Sequence, residues 1–326
     1  MSLIALHSPS CTYYKGEFYV AFYAGEQECV KQRVLIFKKE KSKLKFFKQM
    51  PIGSGNPVLM VYNNNLYCCY SMFTRPMNNN VFDLWRTTYT CVQDLISEKN
   101  DKYVLSTYCC PRTNPYYFNK DSLLLSCYDE SISRGMIFHF GKGQLMERYM
   151  CMNDFPVIQP SVVKFNDKFF VFFRNFKKNL IYYPEECCCP FSEIIFSTAQ
   201  KTFVFGETKI SSIPNHNESI STLNDNNGNP LIVYNAEKNR KNLTLGMLEQ
   251  KNGIMGVKPL TVLNDSIKAS YPNCCFNKKN QLVVVYTSYE KGINYGSSIC
   301  VATVATKYNK VLTRKYITSN DLKDIT

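Results

Sequence analysis

One unit recurs six times along this 326-residue chain: a short apolar run, a turn rich in Asn, Asp, Gly or Lys, and a second apolar run. The first apolar residues after the turns are Phe18, Leu66, Leu123, Phe169, Leu231 and Leu282, separated by 48, 57, 46, 62 and 51 residues. A period of this size is one supersecondary unit repeated, which constrains the fold more than any composition does. Pro9, Pro57, Pro115, Pro160 and Pro272 stand eight to ten residues before the anchor in five copies, while the copy anchored on Leu231 has no proline there.

Each copy reads as a β-hairpin. Its turns, such as Lys15-Gly16, Asn63 to Asn65 and Asn166-Asp167, use residues that tolerate positive φ. A proline cannot donate to a central ladder, so each is expected at the first position of its strand. The second runs, Phe18 to Tyr23 or Leu282 to Tyr286, are apolar on both faces and belong in sheets covered on both sides. Hairpins of that kind at a period near fifty fit blades stacked around an axis. The reading is an all-β, six-bladed β-propeller, with a large β-sandwich as the alternative.

The copies span nearly the whole chain with no Pro/Gly/Ser-rich linker, so residues 1–326 are expected to form one domain. Only Cys91 to Lys99 offers a turn or two of helix. The uncharged stretch from Gly53 to Thr74 has turn formers at its centre and reads as a hairpin, not a membrane span. Residues 1–10 lack a basic n-region and a long apolar run, so a cytoplasmic protein is expected. The fifteen cysteines are odd in number and often adjacent, as in Cys68-Cys69 and Cys187 to Cys189, which reads as small core hydrophobes in a reducing compartment. Cys187 to Cys189 are placed in a loop. With three histidines and no paired C-x-x-C, neither metal nor cofactor is expected. The net charge of +13 is scattered and accompanied by no recognition helix, so nucleic acid is not the expected partner. The dense run from Lys38 to Lys48 fits the exposed edge of the first blade.

In a propeller the starts of the inner strands and the ends of their hairpin partners meet at one rim. Strand starts place His7, Ser8, Asn56, Asn114, Gln159, Asn217, Glu218, Ser270 and Tyr271 there; hairpin ends place Glu26, Glu28, Arg75, Asp129, Glu130, Arg174, Asn235 and Glu237. A concave ring with a few convergent polar groups is what a ligand site requires.

The blocks HSPSCTYYKGEFYVAFYAGEQE, GNPVLMVYNNNLYCCYS, QPSVVKFNDKFFVFFRN, IPNHNESISTLNDNNGNPLIVYN and SYPNCCFNKKNQLVVVYT resemble, in order, those of the sialidase-like propellers with bacterial neuraminidase repeats. The resemblance implies a retaining glycosidase on terminal sialic acid or another acidic sugar, in which three arginines hold the sugar carboxylate, an aspartate serves as acid/base and a tyrosine paired with a glutamate is the nucleophile. Carried onto this chain, it implies Tyr271 as nucleophile and one of Glu26, Glu28 or Glu130 as acid/base. Arg174 would be the main carboxylate ligand, Arg75 and Arg112 weaker candidates, with Asn56, Asn114, Gln159, Glu218 and Asn235 lining the site. The departures are specific. His7-Ser8-Pro9 stands where the family has arginine, isoleucine and proline; Ser197 to Phe203 is a remnant of the aspartate box; and Lys268 to Pro272 lacks a glutamate and a tyrosine of the last-blade block. Three functions therefore stay open: an acidic-sugar hydrolase, a propeller that binds glycan or protein without cleaving it, and a lyase on uronate-containing polysaccharide.

Overall fold

A computed structural model describes residues 5–27, 30–41, 43–73, 88–97, 102–141, 144–150, 157–175, 188–197, 202–265, 267–290, 296–323 and 325. The chain is a six-bladed β-propeller of antiparallel sheets whose strands are consecutive in sequence. The inner strands are Ala5–Tyr14, Ser54–Tyr62, Cys110–Pro111 with Tyr116–Asn119, Val157–Phe165, Ser221–Asn224 and Ala269–Phe276. Their hairpin partners are Glu17–Gly25, Asn65–Phe73, Ser122–Asp129, Lys168–Asn175, Pro230–Glu237 and Leu282–Ser288.

The two-sided apolarity of the second strands has a direct cause. Side chains alternate across a strand, so each second strand feeds two inter-blade cores. Phe18, Val20, Phe22 and Ala24 pack with Val283, Val285 and Ile299 of blade six, while Tyr19, Ala21 and Tyr23 pack with Leu59, Leu66 and Tyr70 of blade two. Among the described residues no strand is exchanged between the first and last blades, and the two meet through side chains and single hydrogen bonds. The Leu6 N–H donates to the Gly296 carbonyl at 2.9 Å, and the Cys11 N–H donates to Asn273 Oδ1 at 3.0 Å. Leu322, in the 3-10 turn after the last strand, packs into the core shared by blades one and six.

Four of the prolines do not begin their strands. In blades one, two, four and six the inner strand starts earlier and the proline sits inside a bulge where two residues oppose one, as between His7 and Ser10 or Ser270 and Asn273, while Pro115 directly precedes Tyr116–Asn119. A bulge tolerates the missing N–H as well as a strand end does. Two further expectations change. Cys91 lies in strand Thr88–Asp94 rather than a helical turn, because its side chain fills the core between blades one and two. Cys188 and Cys189 begin strand Cys188–Ser197, with Cys189 buried against Phe172 and Phe191; Cys187 lies outside the described residues, as do Trp85 and residues 198–201 of the aspartate-box remnant. The lysine run does form the outermost strands of blade one, Arg33–Glu40 and Lys43–Gln49, where Lys45 pairs with Glu40 at 2.7 Å.

The axis is bridged by polar side chains. Asn114 of blade three reaches the inner strand of blade six, donating to the Cys274 carbonyl at 2.9 Å and accepting from the Cys274 N–H at 3.2 Å. Between neighbouring blades, Ser10 accepts from the Leu59 N–H and Ser161 from the Thr222 N–H. Asn114→Ala leaves both buried peptide groups of Cys274 without their partner and is expected to lower unfolding free energy by roughly 2–4 kcal/mol. Denaturant titration measures it.

Candidate active site

At the bulges the residue before each proline takes the left-handed backbone conformation: Ser8 (φ 56°), Asn56 (44°), Gln159 (53°) and Tyr271 (55°), joined by Asn217 (70°) in the blade without the proline. Residues bearing a Cβ rarely occupy this region, and such strain collects at functional sites. Blade three solves the same position differently. Its inner strand leaves the ladder between Pro111 and Tyr116, and Arg112, Thr113 and Asn114 in that break are all buried on the axis.

The lifted residues form a chain of contacts around the axis. Ser8 Oγ donates to Asn56 Oδ1 at 3.0 Å, and Asn56 Nδ2 donates to the Tyr128 hydroxyl at 3.4 Å. Arg174 Nη1 donates to Gln159 Oε1 at 3.3 Å and its Nε to Asn217 Oδ1 at 2.9 Å. Arg240 donates to the Tyr289 hydroxyl, which lies 2.7 Å from Ser270 Oγ.

Tyr271 stands at the centre of this ring. The guanidinium carbons of Arg112, Arg240 and Arg174 lie 5.0, 5.4 and 6.0 Å from its ring centroid. The His7 ring meets it edge-on at 4.4 Å. Burial, reinforced by Arg240, Arg112 and Arg174, holds the His7 imidazole well below the usual histidine range, so it is neutral in this surrounding.

Arg112 is the electrostatic anomaly. It is fully buried, and burial pushes its pKa down to about 10. It donates through Nη1 to the Pro9 carbonyl at 3.3 Å, while Nε and Nη2 have no hydrogen-bond partner among the described residues. A buried charge persists only when compensated, and no carboxylate or carbonyl of the described residues fills those two directions. Three guanidiniums thus gather around one ring, the deepest of them with two unfilled donors.

Glu218 is the buried carboxyl of the cup. Burial pushes it up to about 7, partly offset by the Arg240 backbone N–H and the Arg174 charge, and Oε2 has no partner. Folded Glu218 therefore holds its proton more tightly than it does in the unfolded chain. The associated stability is fully present below the ordinary glutamate value of 4.5 and is lost as pH rises to about 7. The loss is roughly 3 kcal/mol at 1.36 kcal/mol per unit. Glu218→Gln is expected to flatten that part of the stability-versus-pH curve in thermal or denaturant unfolding.

Of the residues anticipated at the rim, Tyr271, Arg174, Arg112, Glu218, Gln159 and Asn56 come together. Asn114 and Asn235 are struts instead: Asn235 Nδ2 donates to the Ala269 carbonyl at 3.0 Å, tying blade five to blade six. Glu26 is half-buried at the blade-one turn and pairs with Lys31 at 3.2 Å. Glu130, also half-buried, acts electrostatically on Tyr128, whose hydroxyl is part of the ring. Arg75 and Glu28 lie outside the described residues. Arg240 and Tyr289 were not anticipated. Arg240 is the last residue of the turn after Pro230–Glu237, with φ 61°, beyond the strand end that the repeat alignment marks.

A family model described as BNR repeat-like domain matches residues 53–284. No curated protein sequence matches the chain significantly. Among solved structures, a protein of unknown function from Dyadobacter fermentans superposes with a TM-score of 0.63 at 12% identity, covering 93% of this chain and 95% of that one. A point variant of NanB sialidase from Streptococcus pneumoniae gives 0.62 at 9% identity over 98% of this chain and 69% of that one. Trypanosoma rangeli sialidase, as its covalent intermediate with 2,3-difluorosialic acid, gives 0.57 at 11% identity over 89% of this chain; the match spans 52% of the trypanosomal protein.

Proposed function

This chain belongs to the BNR repeat-like domain family, and on that footing we propose that its arginine cup binds the carboxylate of a terminal acidic sugar and hydrolyses the glycoside through Tyr271. The observation that carries the reading is the convergence of Arg112, Arg174 and Arg240 on the Tyr271 ring, with two donors of buried Arg112 unfilled. Arg112, from blade three, supplies a cation although blade one offers His7 where the family resemblance calls for arginine. A neutral phenol suits a nucleophile next to a carboxylate-bearing anomeric carbon, since a carboxylate there meets like-charge repulsion.

In this reading the Tyr271 oxygen forms a bond to the anomeric carbon as the glycosidic C–O bond breaks. The phenolic proton passes to Glu218, whose pKa near 7 matches a base working at neutral pH. The leaving oxygen takes a proton from the acid/base, a place that suits Glu130 better than Glu26, because Glu130 acts on Tyr128 while Glu26 is paired with Lys31. Water then bonds to the anomeric carbon and gives a proton to the acid/base carboxylate, while the bond to the Tyr271 oxygen breaks and that oxygen takes its proton back from Glu218.

The test is incubation of the full chain with a fluorogenic sialoside and, separately, with 2,3-difluorosialic acid, the ligand held covalently by the trypanosomal enzyme. Fluorophore release and a mass increase on the peptide containing Tyr271 are expected. Saturable binding of sialic acid with neither signal leaves a binding propeller and overturns the hydrolase. One observation favours a second chemistry: neutral His7 at 4.4 Å from Tyr271, in a cup that neutralises carboxylates, also fits proton abstraction beside a uronate carboxylate. An ultraviolet-absorbing unsaturated product from a uronate oligosaccharide, with no sialoside turnover, identifies a lyase.

A further inference from the structure

The face opposite the arginine cup carries a second concavity, of about 680 Å³, between blades one and six. It lies at the other end of the inner strands, which at about 3.3 Å per residue puts it roughly 20 Å from Ser8 and Tyr271. Five lysines line it: Lys39 from the third strand of blade one and Lys41 from the turn after it, Lys278 and Lys279 from the blade-six hairpin turn, and Lys315 from the last strand. All five are exposed. Glu17, the one carboxylate among the described lining residues, is paired at 2.6 Å with Lys38, which is not part of the lining. Gly16, at φ 78°, has no Cβ, and the Lys278 stem lies in the space that a Cβ would occupy. We propose that this groove is a second binding site, for a polyanionic oligosaccharide such as a sulfated glycan segment.

The form of the groove separates this ligand from other polyanions. Its volume falls in the range of pockets built for small ligands, roughly 300–1,000 Å³, and its lining is confined to blades one and six, where a duplex or a bilayer needs a broader face. Nucleic-acid grooves offer ring faces on which bases stack. Here Tyr13 and Phe18 pack on each other at 5.3 Å between centroids, and Phe18 is buried. The cations are lysines, rotatable point charges that follow sulfates or carboxylates along a sugar chain without a fixed fork. Thr303 and Thr313, paired across the last two strands, add hydroxyls that can meet sugar hydroxyls.

Isothermal titration of the full chain with a heparin-derived hexasaccharide tests the proposal, with a single-stranded oligonucleotide of equal charge and phosphatidylserine vesicles as competitors. One oligosaccharide per chain is expected, with affinity lowered at least tenfold by Lys41→Glu/Lys279→Glu. Lys120→Glu/Lys258→Glu, with the same change in net charge at distant exposed sites, is expected to change it less than threefold. Lys41→Gln/Lys279→Gln provides the same comparison should the double charge reversal fail to fold. No saturable binding, equal losses in the groove and distant variants, or tighter binding of the oligonucleotide or vesicles overturns it. Sialoside turnover reports separately on the arginine cup and is expected to be unchanged in all these variants.

Discussion

Tyr271→Phe is expected to lower sialoside turnover by roughly a thousandfold or more, while affinity for free sialic acid changes less than about threefold. The substitution removes one oxygen and keeps the ring. The edge contact with His7 and the cation–π contacts with Arg112, Arg240 and Arg174 therefore persist, and with them the shape of the cup. Steady-state kinetics and equilibrium titration of sialic acid separate the two effects, and labelling by 2,3-difluorosialic acid is expected to vanish. A variant that retains more than a tenth of wild-type turnover removes Tyr271 from the chemistry. A parallel loss of affinity and turnover would instead assign it a packing role.

Arg112→Met is expected to move stability and binding in opposite directions. Replacing a buried, under-satisfied ion by an apolar side chain of similar length is commonly neutral or stabilising, by about 1–4 kcal/mol. Arg112 has two unfilled donors and a pKa pushed down to about 10, so it sits at the favourable end of that comparison. The same change removes charge-assisted bonds to the ligand carboxylate and is expected to weaken acidic-sugar binding by roughly a hundredfold, about 2.7 kcal/mol. Arg112→Lys is not expected to restore it, because a point charge cannot supply two fixed donors. Denaturant unfolding of the free protein and titration with sialic acid give the two signs. A destabilised Arg112→Met protein that binds normally would make Arg112 a structural strut held by the Pro9 carbonyl.

The sequence carried the architecture because its signals are local. A proline, an Asn- or Gly-bearing turn and a two-faced apolar run are each set within about twenty residues, and repetition multiplies a weak signal. The rim was legible to the same extent: Tyr271, Gln159, Asn56 and Ser8 precede prolines, and the bulge that lifts them is a local event. What was lost is what depends on neighbours. Asn114 and Asn235 have the composition of ligand-binding residues, yet blade six spends their amides on its own backbone. Arg240 stands beyond its strand end, in a turn whose reach toward Tyr271 no spacing encodes. The missing arginine of blade one looked like a lesion in the site. Arg112, which the sequence offered only as a weaker candidate, reaches the Tyr271 ring because the ladder of blade three is broken between Pro111 and Tyr116.

The Asn114 strut also ties together parts of the chain that lie far apart in sequence. Its amide and the Cys274 peptide are 160 residues apart, so this pair of bonds forms only after blades three and six have both been made and brought together. A fastening of this kind makes distant blades cooperate: loosening either one strips the other of a buried partner.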